Sequence, residues 1–200
     1  IGKVTESARK AGYWKQAAAC GEVFEAVLNL NREPNLYSLL NGRCEIEFSR
    51  AMAAFAEGDA TEGRKRLDHA REIAGLHSLF ADEVFYHLRK LRMDDEADHQ
   101  WAALGPIYQR SLELYPKGHN ALNTAAWVAS RAASELDKAA EWIDRALELA
   151  PESSAYLDTK AEVFFAKGQR KRALKWSREA MEHSRGVGEL GQLRLQFLHF

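Results

Sequence analysis

The feature that most restricts how this chain can fold is a turn, followed by a small residue, that recurs along its length. The small residues after the five turns fall at positions 17, 63, 97, 139 and 173, so the intervals are 46, 34, 42 and 34 residues. Each turn separates two segments whose apolar residues recur with the helical period, and such a repeat is typical of stacked helical hairpins. Composition agrees with an all-helical chain, because only four prolines and thirteen glycines occur in 200 residues.

The clearest unit covers residues 154–185. Ala161 lies in its first helical segment, Gly168 ends that segment, and Ala173 and Ala180 lie in the second. Small side chains at these points allow two antiparallel helices to approach closely, because larger ones would separate the backbones and leave voids. The pattern therefore carries structural information and does not reflect composition alone.

This pattern resembles the tetratricopeptide repeat (TPR) family, whose units are helix–turn–helix hairpins of 34 residues. Residues 120–151 also match, through Ala126, Ala139, Ala146 and Pro151, with a turn that we expect to be one residue shorter. The match is weaker in three further units, at residues 5–30, 44–74 and 78–114. The resemblance implies an all-α, right-handed superhelical solenoid of antiparallel helix hairpins with a C-terminal capping helix.

The periodicity and the breakers predict eleven helices in a single TPR-like domain over residues 1–200. We expect them at 3–11, 13–31, 35–57, 60–75, 78–92, 94–115, 118–133, 135–150, 153–167, 169–184 and 187–199. The repeat units then cover about 3–31, 35–75, 78–115, 118–150 and 153–184, followed by a cap at 187–200. The Gly105-Pro106 step predicts a kink or break in the sixth helix, because proline removes a helical donor.

The last segment and the two ends of the chain leave alternatives open. Leu190, Leu193, Phe197 and Phe200 share one stripe, which fits either a capping helix or a homodimer interface at 187–200. The chain begins at Ile1, so we expect a piece of a longer protein. Its compartment stays open, with the cytoplasm slightly favoured.

Signals for chemistry are weak throughout the chain. No metalloprotease, nucleophile-elbow, phosphate-loop or dinucleotide motif is present, so we expect no enzyme, no cofactor and no metal site. The densest acidic cluster, Asp94-Asp95-Glu96 with Asp98-His99, is better interpreted as a helix start whose carboxylates complement the dipole. Cys20 and Cys44 lack metal-ligand spacing, and either a disulfide between them or two buried thiols is compatible with the sequence.

Charge and hydropathy exclude two classes of partner. The formal net charge is −1, which argues against nucleic acid, although Arg170, Lys171, Arg172, Lys175 and Arg178 form a basic helix face. That face is interpreted as solvated. No apolar run approaches the 18 residues of a membrane span, so no membrane insertion is expected.

The TPR resemblance implies that the first helix of each unit contributes to a concave groove that holds a protein or peptide partner. Carried onto this sequence, the groove positions give these partner-binding residues: Tyr86, Arg89, Lys90, Asn123, Trp127, Arg131, Asp158 and Glu162. Phe48 and Met52 occupy the same positions on the third helix. The register of the fourth unit was assigned only to within one residue.

The residue types in this groove suggest what it binds. Arg89, Lys90 and Arg131 suit a carboxylate, and Tyr86 and Trp127 suit an apolar side chain. Asn123 and Asp158 occupy equivalent positions in adjacent units, so they either contact the partner or hydrogen-bond to each other.

We therefore expect a non-catalytic scaffold for protein–protein interaction. The alternatives are a self-assembly module or an accessory domain of a larger enzyme.

Overall fold

The computed structural model describes residues 2–30, 36–74 and 79–184, and within these ranges the chain is helical and contains no strand. The helices are α1 Gly2–Lys10, α2 Trp14–Asn29, α3 Leu36–Ala56, α4 Ala60–Ala74, α5 Phe85–Lys90, α6 Asp94–Leu114, α7 His119–Ala132, α8 Leu136–Leu149, α9 Ser154–Ala166 and α10 Arg170–Glu182. A π-helical turn, Phe80–Val84, leads directly into α5. The all-α prediction is confirmed. The predicted helix at 187–199 lies outside the described residues.

The chain divides into two compact units, residues 1–80 and residues 81–200. In the first unit, α1 packs on α2, α2 on α3 and α3 on α4. Its core contains Phe48, Met52 and Leu67, which are fully or almost fully buried. The edge of the Trp14 ring contacts Phe48, with ring centroids 5.7 Å apart. This core is that of a small helical bundle.

The second unit contains α5 to α10, and its helices pack in a regular order. The first helices of successive hairpins touch one another, α5 against α7 and α7 against α9. Each first helix also packs on the second helix of its own hairpin, as α7 does on α8 and α9 on α10. Buried residues at the last hairpin include Ala161, Phe164 and Ala173, so two of the small residues predicted from the repeat do lie at a close helix contact.

Every hairpin turns through one residue in the left-handed backbone region. These residues have φ values from +52° to +84° and are Gly12, Gly58, Arg92, Ala133 and Gly168. In each turn the N–H of the following residue bonds to the carbonyl five positions back, as Gln169 does to Phe164 at 2.9 Å. This bond closes a Schellman motif, which satisfies a carbonyl at the helix end. The same left-handed residue and the same closing bond in five turns show that the repeat seen in the sequence is also a repeat of backbone conformation.

The turn of the fourth hairpin corrects one expectation. In the other four hairpins the small residue follows the left-handed residue by five positions, as Ala173 follows Gly168, but Ala139 follows Ala133 by six. The turn is therefore one residue longer, not one residue shorter. The extra residue is accommodated by Glu135, which also has positive φ (47°).

Replacing Ala133 with glycine is expected to stabilise the second unit by about 1 kcal/mol, because a side chain in the left-handed region is strained and glycine is not. Urea denaturation followed by circular dichroism measures the change. The reciprocal variant Gly168→Ala is the matched control, since no neighbour lies within 4 Å of the added Cβ and only the backbone is affected. It should lose a similar amount, and a stabilised Gly168→Ala variant would contradict this reasoning.

The Gly105-Pro106 step does not break α6, which continues from Asp94 to Leu114. Of the kink or break expected at this step, the break is therefore wrong. Gly105 lies under the indole of Trp101, where an added Cβ would come within 3.0 Å of the ring. The Trp101 ring also stacks on Tyr108, with centroids 6.4 Å apart. These two aromatic side chains therefore pack against each other on either side of the proline in the sequence.

The two cysteines are free thiols in this structure. Cys44 is buried on α3 and donates its thiol hydrogen to the carbonyl of Ala70 on α4, at 3.3 Å. Burial raises the pKa of the Cys44 thiol to about 12. Cys44 thus behaves as a buried packing residue, as one of the two interpretations of the sequence expected, and Cys20 is only half-buried.

Candidate functional site

All eight predicted partner-binding residues lie in the second unit, on the three first helices α5, α7 and α9. We call the surface that these helices present together the α5–α7–α9 face. The turns fix its register, because Tyr86, Trp127 and Glu162 each precede the left-handed residue of their hairpin by six positions. The structure therefore removes the one-residue uncertainty in α7. These three residues are equivalent positions of three consecutive hairpins.

A row of side chains crosses this face from α5 to α9. The guanidinium carbon of Arg131 lies 5.8 Å from the centre of the Tyr86 ring, and the ammonium of Lys90 lies 5.6 Å from it. Arg131 Nη1 is also 3.7 Å from a carboxylate oxygen of Glu162, whose side chain is 6% exposed. Tyr86 itself is 41% exposed. The row is thus buried at Glu162 and open to solvent at Tyr86 and Lys90.

Both arginines of the predicted site also make contacts within the chain. Arg89 Nε donates to the carbonyl of Ala132, at 3.1 Å, at the C-terminal end of α7. The same guanidinium pairs with Asp94 at 2.9 Å and with Asp98 at 2.6 Å on α6. These charge-assisted bonds hold the ends of three helices together. Arg89 therefore has a structural role within the chain, independent of any contact with a partner.

Arg131 has a comparable second role. Its Nε atom donates to the carbonyl of Ala81, at 3.2 Å, in the π-helical turn before α5. This bond joins the backbone of the π-helical turn to a side chain of α7. Arg131 thereby fixes the start of α5 against α7.

The remaining predicted residues differ in exposure. Trp127 and Asp158 are half-buried, and Lys90 is exposed. The Oδ1 atom of Asn123 is buried and has no hydrogen-bond partner in the described part of the chain. The predicted hydrogen bond between Asn123 and Asp158 is therefore not formed through this oxygen.

The prediction that Phe48 and Met52 on the third helix belong to the groove is wrong. Both side chains are almost completely buried in the first unit. The register of the repeat assigned them to a surface, but α3 packs between α2 and α4 and uses this face for the core. Neither residue is available to a partner.

A polar cluster that the sequence did not reveal lies at the start of α7 and α9. The hydroxyl of Tyr156 donates to Oδ1 of Asn120, and Nδ1 of His119 lies 2.6 Å from the same hydroxyl. Burial raises the pKa of Tyr156 above its usual value. The cluster joins the two helices at the edge of the face.

The other groups considered in the sequence have structural surroundings. Asp94 and Asp98 pair with Arg89, and the amide of Gln100 donates to the buried Glu96 at 3.0 Å. Across residues 2–30, 36–74 and 79–184, no group of three or more His, Cys, Asp or Glu side chains is placed to hold a metal ion. The five basic residues of α10 are all exposed, as expected for a solvated face. None of the helices within these ranges is long and apolar enough to cross a membrane.

Two comparisons with known proteins find no match for this chain. No protein-family model matches the chain, and no curated protein matches it. The resemblance to TPR units therefore depends on the residues and turns described above.

Proposed function

We propose that this chain is a TPR-like helical repeat solenoid that acts as a non-catalytic module for protein–protein interaction. Five hairpins that each turn through a left-handed residue support the repeat, as does the contact of α5, α7 and α9 in sequence order. In this proposal the hairpins continue as one domain over residues 1–200. The partner is a protein or peptide segment that docks on the α5–α7–α9 face.

The observation that carries the proposal is the pair of accessible aromatic residues at equivalent positions of consecutive hairpins. Tyr86 is 41% exposed and Trp127 is half-buried, so part of each ring is open to a partner. The cations of Lys90 and Arg131 lie beside the Tyr86 ring. A segment that combines an apolar side chain with a carboxylate matches this surface, because aromatic anchors and charge-assisted hydrogen bonds act together.

Replacing Trp127 with alanine is expected to weaken partner binding by about 2 kcal/mol, which is roughly 30-fold, with a smaller loss for Tyr86→Ala. The partner is first captured from a lysate of the source cell, and its affinity for each purified variant is then measured by calorimetry. Neither aromatic side chain is fully buried, so both variants should keep their far-ultraviolet circular dichroism.

Tyr115→Ala is the matched control, because Tyr115 is 66% exposed but lies at the end of α6, away from the proposed face. It should bind like the unmodified chain. Arg89 is not replaced in this experiment, because its loss would remove a bond to the end of α7. A loss of folding could then not be distinguished from a loss of partner binding. Equal affinities for Trp127→Ala, Tyr86→Ala and Tyr115→Ala would contradict the proposal.

A further inference from the structure

One side of α8 carries a row of acidic side chains, which we call the acidic row. It consists of Asp137, Glu141, Asp144 and Glu148, at intervals of four, three and four residues, and all four are exposed. Residues at these intervals lie on one side of a helix. The opposite side of α8 carries Ala139 and Ala146, which are completely buried. The acidic row therefore faces solvent along most of the helix.

The equivalent positions of the next hairpin carry the opposite charge. The basic row on α10 consists of Lys171, Lys175 and Arg178, which lie 34 positions after Asp137, Glu141 and Asp144. All three basic side chains are exposed. The same interval of 34 relates the buried Ala139 to the buried Ala173, so the two rows occupy the same place in their hairpins. The fourth position is acidic on both helices, so the charge is reversed at three of four positions.

The helices α8 and α10 are neighbours within the second unit. Leu147 of α8 packs on a cluster that contains Ala180 of α10. Lys160 of α9 pairs with Asp144 at 2.7 Å, and the same ammonium lies 3.7 Å from the centre of the Trp176 ring on α10. One copy of the chain therefore carries an acidic and a basic row on neighbouring helices.

Much of the charge in the two rows is not neutralised within the chain. In the part of the chain that the structure describes, neither Glu141 nor Lys171 nor Lys175 has an ion-pair partner. Asp137 and Asp144 pair with lysines of α9, yet their side chains are 94% and 53% exposed. Like charges four residues apart destabilise a helix. An oppositely charged partner would relieve this repulsion on either helix.

We propose that the acidic row of one copy of the chain binds the basic row of a second copy. The two rows have the same spacing and opposite sign, so each of three carboxylates can face a cation. Glu141 and Lys175 are the middle positions, and they face each other whether the two helices run parallel or antiparallel. Charge complementarity of this kind selects the partner and its register. The second copy is the occupant because its own row repeats the pattern with the charges reversed.

Sedimentation velocity over a range of concentrations tests the association. At low salt the unmodified chain should show a mass that rises with concentration. The rise should be lost in about 1 M NaCl, where the Debye length is about 3 Å and exposed charges are screened. A chain that is monomeric at every concentration would overturn the proposal. An association that salt leaves unchanged would also overturn it, because such an interface would not be ionic.

Charge reversal at the middle positions tests where the copies meet. Lys175→Glu and Glu141→Lys should each raise the dissociation constant about 10-fold, because each places like charges opposite each other. Lys117→Glu is the matched control, since Lys117 is exposed before α7 and lies outside both rows. It makes the same change of net charge and should leave the constant unchanged. Equal effects of Lys175→Glu and Lys117→Glu would contradict the proposed interface.

Mixing the two reversed variants separates a specific pair from a general effect of charge. Labelled Glu141→Lys should bind Lys175→Glu about 10-fold more tightly than it binds Lys117→Glu, because only Lys175→Glu restores opposite charges at the middle positions. The two binding variants have the same net charge. Equal affinities would overturn the proposal. So would an unmodified chain that binds polyglutamate through Lys175 without associating with itself, since the basic row would then belong to another partner.

Discussion

Replacing Glu47 with glutamine is expected to destabilise the first compact unit by about 3 kcal/mol, because it removes the charge that three arginines share. The Glu47 side chain is completely buried on α3, and its oxygens lie 3.3 Å from Arg43, 2.9 Å from Arg50 and 3.1 Å from Arg66. The arginines come from α3 and α4, so one carboxylate joins both helices. The three guanidinium groups stay partly exposed and can turn to water, which limits the loss.

Urea denaturation of the full chain measures this effect, with Glu22→Gln as the matched control. Glu22 pairs with one of the same arginines, Arg50, but its side chain is 47% exposed. An exposed pair contributes little, so the control should change stability by less than about 1 kcal/mol. Equal losses for the two variants would show that burial of Glu47 does not matter. A loss confined to Glu47→Gln supports the network.

Replacing Ala161 with leucine is expected to destabilise the second unit by about 3 kcal/mol, because the added atoms have no space between α9 and α10. Ala161 is completely buried and packs with Phe164 and Ala173 in one cluster. Its side chain occupies the position at which the repeat requires a small residue. Widening this contact would also disturb Trp176, which packs on the same cluster.

Thermal and urea denaturation of Ala161→Leu, with Ala155→Leu as control, give the measurement. Ala155 lies on the same helix but is exposed, so its replacement should change stability by less than about 0.5 kcal/mol. The two variants have the same composition and differ only in position. A stable Ala161→Leu protein would show that the small residue is not required for the close helix contact.

The helices and their order could be predicted from the sequence because their ends carry local signals. Gly58 and Gly168 mark turns that only a left-handed residue can make, and the small residue that follows marks the next helix. Ala133 carries no such signal, since alanine rarely adopts positive φ. The sequence therefore predicts a shorter turn at this hairpin, whereas the backbone contains one extra residue.

The candidate site was predicted less completely, because long charged side chains can form bonds with residues that are distant in the sequence. Arg89 was assigned to partner binding, yet it bonds to Ala132, 43 residues further on. The buried network of Glu47 was missed although Arg43 and Arg50 lie at helical spacing from it. The third arginine, Arg66, lies on α4, 19 residues further on, and the sequence does not indicate that it converges on the same carboxylate. Phe48 was predicted to lie on a surface because the repeat register indicates the face of the helix on which a residue lies. The register does not indicate whether a neighbouring helix packs on that face.

Hydrogen–deuterium exchange of the chain with and without its captured partner tests the central claim most directly. The account predicts slower exchange in the amides of α5, α7 and α9 when the partner is bound, and little change in α6, α8 and α10. The same protection should be lost with Trp127→Ala at equal partner concentration. Protection confined to α6, α8 and α10, or to the first unit, would contradict a partner site on the α5–α7–α9 face.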